Sequence, residues 1–370
     1  MADWDPFAVD DAPVAETSAA PAAGGGSAAA GRISKEDLDK VVEVAWNHVC
    51  QQAPWQKSPN PRPDLEWHTP TTSFDNWQHK DVSVEQGTGI AYVNINRPDF
   101  SNLMNDSVLV GLIDALFNLH WRPDHRLVVF SGSGSLFCGG ADPDTDPDTI
   151  LARAPPQPHV WKHIEDLKNA ALKAGAFPDG NAKIGLLLKM KMWHSWMTLP
   201  QFTLALVNGS AMGDGVGCVC CCDMGIALRT AFFTLTDVKV GLVPAFIAPY
   251  VVSKIGTGHA KRMIASAENM SAEKAKHCGM INEVVDSVED AHKMIKDIAE
   301  VLTACGPRSV EAAKQLVIGV GGMPITEPIM FYTGRMLAQV TVSDEAKDGM
   351  VRLQARQPKP WEETPIAPLY

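Results

Sequence analysis

Short apolar runs alternate with longer amphipathic stretches through the middle of the chain, and this alternation predicts strands and helices. Runs with the length and β-branched character of buried strands occupy residues 82–84, 90–94, 127–131 and 202–207. Apolar residues recur at helical spacing over residues 107–119, between the second and third of these runs, and predict a helix there. Buried strands that alternate with helices are typical of an α/β fold.

Two of the predicted strands lead directly into glycine-rich turns. The strand at 127–131 is followed by SGSGSLFCGGAD, residues 131–142, and the strand at 202–207 by NGSAMGDGVG, residues 208–217, which opens into an apolar helix ending near Asp223. Glycine allows a backbone to approach a ligand closely, and the free N–H groups at a helix start attract negative charge. Two such turns side by side would hold one carbonyl oxygen between two backbone N–H groups; a strand-to-helix connection without a ligand is the alternative for either turn alone.

The beginning of the chain has a different composition from its middle. Residues 1–32 are dominated by Ala, Gly, Ser and Pro, which cannot build a core, so we expect a solvated tail there, with a docking motif at residues 4–7 (WDPF) as the alternative. Residues 33–80 predict an amphipathic helix that begins near Ser34, followed by a Pro-rich linker.

Charge and composition exclude several classes of function. The formal net charge of −11 argues against nonspecific binding of nucleic acid, and no apolar run approaches the roughly 18 residues of a membrane span. The eight cysteines follow neither a disulfide framework nor the paired spacing of a zinc site, so we expect no metal. The clustered thiols of Cys218, Cys220, Cys221 and Cys222 are predicted to be small core residues. Since no secretory or transit pattern is recognised, we expect a cytoplasmic protein, with other reducing compartments as alternatives.

Six sequence blocks, taken in order, resemble the enoyl-CoA hydratase/isomerase (crotonase) superfamily. The blocks are INRP with NLMN (95–98 and 102–105), SGSGSLFCGGAD (131–142), VNGSAMGDGVGCVCCCD (207–223), DVKVGLVP (237–244), SAEKAKHCGMINEVV (271–285) and SDEAKDGMVRLQARQPKP (343–360). Each block alone is weak, but their order makes the resemblance specific.

The resemblance implies an α/β fold in which repeated ββα units form a spiral core, here residues 81–285, with a C-terminal helical region at 286–370. It also implies assembly into a homotrimer or hexamer. Residues 143–199 depart from the family as an insertion between the two glycine-rich turns, within which the pattern predicts helices at 159–173 and 184–196. Because this region lines the acyl pocket in the family, we expect the insertion to change the choice of substrate.

In the family, two backbone N–H groups hold the carbonyl of an acyl thioester and stabilise its enolate. The blocks place these donors at Ala141 and Asp214, and the implied substrate is an acyl-CoA or an acyl carrier protein thioester, with no cofactor. Asp214 is unusual, because the family has glycine or another small residue there, and a carboxylate would offset the positive potential meant for the enolate. The other positions that the resemblance assigns to substrate binding are Asn102, Leu103, Gly140 and Gly213.

Hydratases of the family use two acidic residues, and this chain matches only one of them. The first position is occupied by Gly217, whereas the second is occupied by Asp237, which is therefore the predicted catalytic acid or base. Two hypotheses follow: a lyase or isomerase that works through Asp237, or a catalytically degenerate member that serves as an interaction or assembly subunit.

The segment GLVPAFIAPY, residues 241–250, resembles methylglutaconyl-CoA hydratase-like proteins and the dehydratases of polyketide β-branching cassettes. Both groups handle branched, glutaryl-type thioesters. Tyr250 and Lys254 are therefore candidates for binding a distal carboxylate or phosphate, with helix packing and surface charge as the alternative.

Overall fold

The computed structural model describes residue 74 and residues 77–120, 122, 124–144, 168–169 and 184–370. The predicted tail at 1–32 and the predicted helix near Ser34 lie outside the described residues, as does most of the predicted helix at 159–173. Within the described part, the chain has the mixed α/β architecture that its alternating pattern predicts.

The strands form two sheets. In chain order they are β1 (Val82–Gly87), β2 (Ile90–Ile95), β3 (Leu127–Gly132), β4 (Phe202–Val207), β5 (Ala211–Met212), β6 (Met224–Leu228), β7 (Phe232–Thr234), β8 (Met270–Ser271) and β9 (Glu283–Val285). Six of them make a sheet in the order β1-β2-β3-β4-β6-β9, in which β1 is antiparallel to β2 and every later neighbour is parallel. The other three make a small sheet in the order β5-β7-β8. All four strands predicted from the apolar runs are present.

Helices cover the sheets and fill the C-terminal part of the chain. They are α1 (Asp106–His120), α2 (Ile184–Met197), α3 (Asp214–Cys221), α4 (Ala248–Ser266), α5 (Ala272–His277), α6 (Val288–Thr303), α7 (Pro307–Val320), α8 (Glu327–Thr341) and α9 (Asp344–Ala355). The helices predicted at 107–119 and 184–196 are confirmed as α1 and α2.

A repeated unit connects the two sheets. Strand β4 enters the large sheet, β5 enters the small one, and α3 follows; β6, β7 and α4 then repeat this order. Each unit therefore advances the chain by one strand in both sheets, which confirms the predicted spiral of ββα units. Helices α6 to α9 make up the predicted C-terminal helical region, while the domain boundaries at residues 81 and 285 stay a prediction.

The cysteine-rich segment is part of the hydrophobic core. The thiols of Cys218, Cys220, Cys221 and Cys222 are buried and form no disulfide among the described residues. Burial raises the pKa of Cys220 and of Cys222 to about 12, so both thiols stay protonated at neutral pH. These cysteines pack as small apolar side chains, as predicted.

Helix α2, although it belongs to the predicted insertion, is integrated into the core. It packs against α1 and α3, and its Trp193 and Trp196 are fully buried. The ring of Trp196 lies against Phe130 of β3, with 4.1 Å between the centroids. Large aromatic side chains buried in this way fix α2 over the helix that begins at the second glycine-rich turn.

Candidate functional site

The two glycine-rich turns contact each other, as the family resemblance implies. Gly140 and Gly213 have φ angles of 104° and 49°, which side chains other than glycine rarely adopt. A Cβ atom on Gly213 would lie 3.5 Å from the Cα of Gly140, and one on Gly140 would lie 3.2 Å from the carbonyl oxygen of Met212. The absence of side chains here brings the two main chains together.

Each turn contributes one backbone donor that the fold does not use. Met104 donates its N–H to Gly140 O at 2.8 Å, and Asp142 donates to Met104 O at 3.1 Å. Because this bridge uses the groups on either side of Ala141, the N–H of Ala141 faces away from it. Asp214 is the first residue of α3, where an N–H has no partner within the helix. Among the described residues, neither donor has an acceptor.

Arg97 and Asn102 hold the first turn in place. The Arg97 Nη1 atom donates to Leu103 O at 2.7 Å and pairs with Asp142 Oδ2 at 3.0 Å, next to Ala141. Asn102 is fully buried; its amide accepts from Arg97 N and donates to the carbonyls of Ser133 and Leu136. Its side chain thus has a structural role in this fold, and a contact with substrate in this block would have to come from Leu103 or the backbone.

Asp214 carries a carboxylate beside its unused N–H, but the charge is compensated. Lys189 of α2 places its Nζ atom 2.6 Å from Asp214 Oδ2. Asp214 is 8% exposed, so this ion pair is shielded from much of the solvent that weakens surface pairs. Lys189 also lies over the ring of Phe246, 5.8 Å from its centroid. The sequence predicts an adverse negative charge at position 214, whereas the structure pairs it with a cation.

No space for a second acid exists at Gly217. A Cβ atom there would lie 2.5 Å from Ile247 Cγ2 and 3.0 Å from Trp193 Cη2. These distances are shorter than ordinary carbon–carbon contacts. The position that the resemblance aligns with the first hydratase acid is therefore filled by an indole ring and an isoleucine.

Asp237 follows the small sheet beside the second turn. The N–H of Gly213 donates to Thr234 O of β7 at 2.9 Å, so β7 is attached to the turn that carries the Asp214 donor. The 3-10 turn Asp237–Val240 begins three residues later, and Asp237 is half-buried. Its carboxylate has no hydrogen-bond or ion-pair partner within the described part of the chain. A half-buried carboxylate without a partner is able to exchange a proton with a ligand.

Tyr250 lies on α4 and contributes to the same wall as Trp193. It is half-buried, and 6.4 Å separates the two ring centroids. Burial raises the pKa of the Tyr250 hydroxyl, so the group is a neutral donor at physiological pH. Its contact with a substrate stays a prediction.

Lys254, by contrast, makes a structural contact. Its ammonium group donates to Cys222 O at 2.7 Å and to Asp223 O at 3.0 Å, just beyond the end of α3. Cations stabilise helix C-termini by binding these last carbonyl groups. This contact agrees with helix packing, the alternative for Lys254, and a role of Lys254 in holding a distal carboxylate stays a prediction.

Three residues of this region, Arg97, Lys189 and Trp193, were not predicted as part of the site. Lys189 and Trp193 lie in residues 143–199, where no family block provides an alignment. The composition of residues 184–196 predicts α2 but not which elements its faces contact. Arg97 stands in a matched block, and its link to Asp142 joins two blocks that are distant in sequence.

Neither a metal centre nor a membrane span is found in the described ranges. No group of three or more His, Cys, Asp or Glu side chains there is arranged to hold a metal ion. None of the helices described has both the length and the hydropathy to cross a membrane.

Comparison with known proteins gives a consistent set of similarities. The family model described as enoyl-CoA hydratase/isomerase matches residues 185–364. A putative enoyl-CoA hydratase of Thermus thermophilus is 29% identical over 249 residues, which is 66% of this chain and 87% of that protein. The (E)-benzylidenesuccinyl-CoA hydratase of Thauera aromatica is 27% identical over 72% of this chain and 93% of its own length.

The fold is also similar to solved structures. The crystal structure of an enoyl-CoA hydratase from Shewanella pealeana superposes with a TM-score of 0.65 and 23% identity, covering 79% of this chain and all of that one. At this identity the likeness concerns the fold.

Proposed function

We propose that the chain is a member of the enoyl-CoA hydratase/isomerase (crotonase) superfamily and that it is an isomerase- or lyase-type enzyme that acts on an acyl thioester through an enolate. The observation that carries this proposal is the contact between two glycine-rich turns, each with an unused backbone N–H, at Ala141 and Asp214. A thioester carbonyl oxygen between these donors would gain hydrogen bonds that strengthen as negative charge develops on it. Donors fixed in advance by the backbone stabilise such a charge most effectively, since they need not reorient during the reaction.

The single carboxylate favours double-bond migration over hydration. In our proposal, Asp237 removes a proton from the α-carbon of a 3-enoyl thioester, the electrons move onto the carbonyl oxygen as a dienolate, and Asp237 returns the proton to the γ-carbon. The product is the 2-enoyl thioester, and no water is consumed. Hydration by two carboxylates would need an acid at position 217, where Trp193 and Ile247 occupy the space.

The acyl group that we favour is branched or carries a second acid. The resemblance of residues 241–250 to proteins that handle glutaryl-type thioesters supports it. So does the likeness to a relative named for (E)-benzylidenesuccinyl-CoA. Tyr250 is the residue we assign to the distal part of the acyl group, because its hydroxyl is a neutral donor beside Trp193.

Assembly into a homotrimer or hexamer belongs to the same proposal. Several large apolar side chains of α8, α9 and their connections are exposed in the single chain, namely Ile325, Met330, Leu337, Val342, Val351 and Leu353. Apolar surface concentrated on one region of a soluble chain is typical of a protein interface. Light scattering across micromolar concentrations is expected to give a trimer or a multiple of it, and a monomeric mass would contradict the assembly.

Exchange of α-protons with solvent tests the proposed chemistry directly. Straight and branched acyl-CoA thioesters, and the same acyl groups on a carrier protein, are incubated with the protein in D2O, and deuterium at the α-carbon is measured by mass spectrometry. We expect exchange with the wild type and its loss in Asp237→Asn. A thermal shift with the same thioesters reports binding separately, because a ligand that binds the native state raises its stability.

The outcomes separate the two hypotheses for this chain. Exchange in the wild type supports the enzyme. No exchange and no thermal shift with any of these thioesters would reject it and leave the interaction or assembly subunit as the remaining hypothesis.

A further inference from the structure

The ion pair between Lys189 and Asp214 lies where the proposed enolate would form. Asp214 contributes its backbone N–H to the proposed oxyanion site. The same residue carries a carboxylate, so a negative charge lies close to that donor. The Lys189 ammonium lies 2.6 Å from this carboxylate, with side-chain exposures of 23% for the lysine and 10% for the aspartate. The lysine comes from α2, the helix of the predicted insertion, and not from any family block.

A carboxylate at this position opposes the reaction unless it is neutralised. Developing negative charge on a thioester oxygen would be repelled by an unpaired Asp214, and the repulsion would be strong because little solvent screens it. The paired ammonium reverses this effect. Both charges act on the buried thiol of Cys138 in the first turn: burial and, to a smaller extent, Asp214 raise its pKa to about 12, against the lowering effects of the Gly140 N–H and of Lys189.

We propose that Lys189 is a positioning residue of the active site: it compensates the Asp214 carboxylate so that the backbone donor of Asp214 can stabilise an enolate. The proposal rests on the proposed function, since it concerns the same oxyanion site. Lys189 and Asp214 together then replace the single small residue that the family has at position 214. A merely structural pair, which only fastens α2 to α3, is the alternative.

A β-ketoacyl thioester reports oxyanion stabilisation without turnover. Acetoacetyl-CoA absorbs in the near ultraviolet when it is an enolate, so the enolate fraction of the bound compound is read directly from the spectrum. In Lys189→Met we expect the α-proton exchange rate at saturation to fall roughly 10- to 100-fold, because the coupling energy between two charged residues in contact corresponds to a rate change of this size. The enolate fraction of bound acetoacetyl-CoA should fall with it. The thioester concentration at half-saturation should change little, because the charge develops only in the enolate.

Removing the aspartate as well should restore activity. In the double variant Lys189→Met/Asp214→Gly, no carboxylate needs compensation, so we expect exchange and enolate fraction within a few-fold of the wild type. Lys191→Met is the matched control: Lys191 lies on the same helix but over the Phe117 ring, 5.7 Å from its centroid. It should leave both readouts unchanged.

Several results would overturn the inference alone. Exchange and enolate fraction in Lys189→Met within twofold of the wild type would do so, as would a double variant as impaired as Lys189→Met. If Lys189→Met does not fold, the single variant Asp214→Asn is measured instead, with Lys189 left in place. A loss of enolate fraction in Asp214→Asn would count against the proposal. A wild type that neither exchanges α-protons nor binds acetoacetyl-CoA would reject the proposed function itself, and the inference with it.

Discussion

The space around Gly217, which the resemblance aligns with the first acid of two-acid hydratases, is tested by comparing alanine substitutions at two glycines. Gly217 lies within α3, and its missing Cβ would approach Ile247 Cγ2 to 2.5 Å and Trp193 Cη2 to 3.0 Å. Gly258 lies in α4, two residues after Gly256, whose non-helical φ of 72° kinks this helix. It is exposed, and a Cβ there would meet nothing within 4 Å. Replacement by alanine therefore changes helix propensity at both positions but creates a clash at only one.

The expected free energies follow from these contacts. Gly258→Ala should stabilise the protein by up to about 1 kcal/mol, because alanine is the better helix former. Gly217→Ala has the same advantage but must displace packed core atoms, which costs about 1–3 kcal/mol. The free energy of unfolding should thus differ between the two variants by about 1–3 kcal/mol, with Gly217→Ala the less stable.

Equilibrium unfolding in urea at a fixed protein concentration measures both values. In an Ile247→Ala background, which removes the nearest atom, the cost of Gly217→Ala should largely disappear, and this coupling identifies the clash as its origin. Equal stabilisation by both alanines in the wild-type background would refute the reasoning. By the same argument, Gly217→Glu should gain hydration activity only together with Trp193→Ala, which opens room for a carboxylate.

Three other predictions follow from the site and its surroundings. Asp237→Asn should keep thioester binding, measured by calorimetry, while turnover falls roughly 10²-fold or more; unchanged turnover would remove Asp237 from the mechanism. Lys254→Met should lower the melting temperature, because the carbonyls of Cys222 and Asp223 lose their donor, yet leave the KM for branched thioesters unchanged; a raised KM would return Lys254 to the binding site. Since burial raises the pKa of Cys138, Cys220 and Cys222 to about 12, iodoacetamide at pH 8 should alkylate these thiols only after unfolding, and rapid labelling of the native protein would contradict their burial.

The elements around the turns could be predicted from sequence because their signals are local. The run at 202–207 has buried-strand character and ends in glycines, and β4 occupies those residues. Helix α2 was predicted at 184–196 from its composition and ends one residue later, at Met197. The contact between Gly140 and Gly213, in contrast, came from the family resemblance, since spacing along the chain does not state which turns meet.

The chemistry of the site was harder to predict because it depends on which side chains face each other. Asp214 was interpreted as an adverse charge, since its partner Lys189 lies on a helix whose orientation the sequence does not specify. Gly217 was interpreted as a lost acid, whereas the structure shows a position whose volume Trp193 and Ile247 have taken. The role of Lys254 is ambiguous for a related reason: a lysine that binds carbonyls near a helix end has the same sequence signal as one that binds a ligand.

The origin of Lys189 in α2 limits how this protein can be recombined with its relatives. A chimera that exchanges residues 143–199 for the corresponding spacer of an enoyl-CoA hydratase with this fold would delete the lysine and keep the aspartate. Such a hybrid would retain both glycine-rich turns and yet carry an uncompensated charge between them. The spacer and position 214 therefore form one transferable module, and a functional graft would have to exchange both at once.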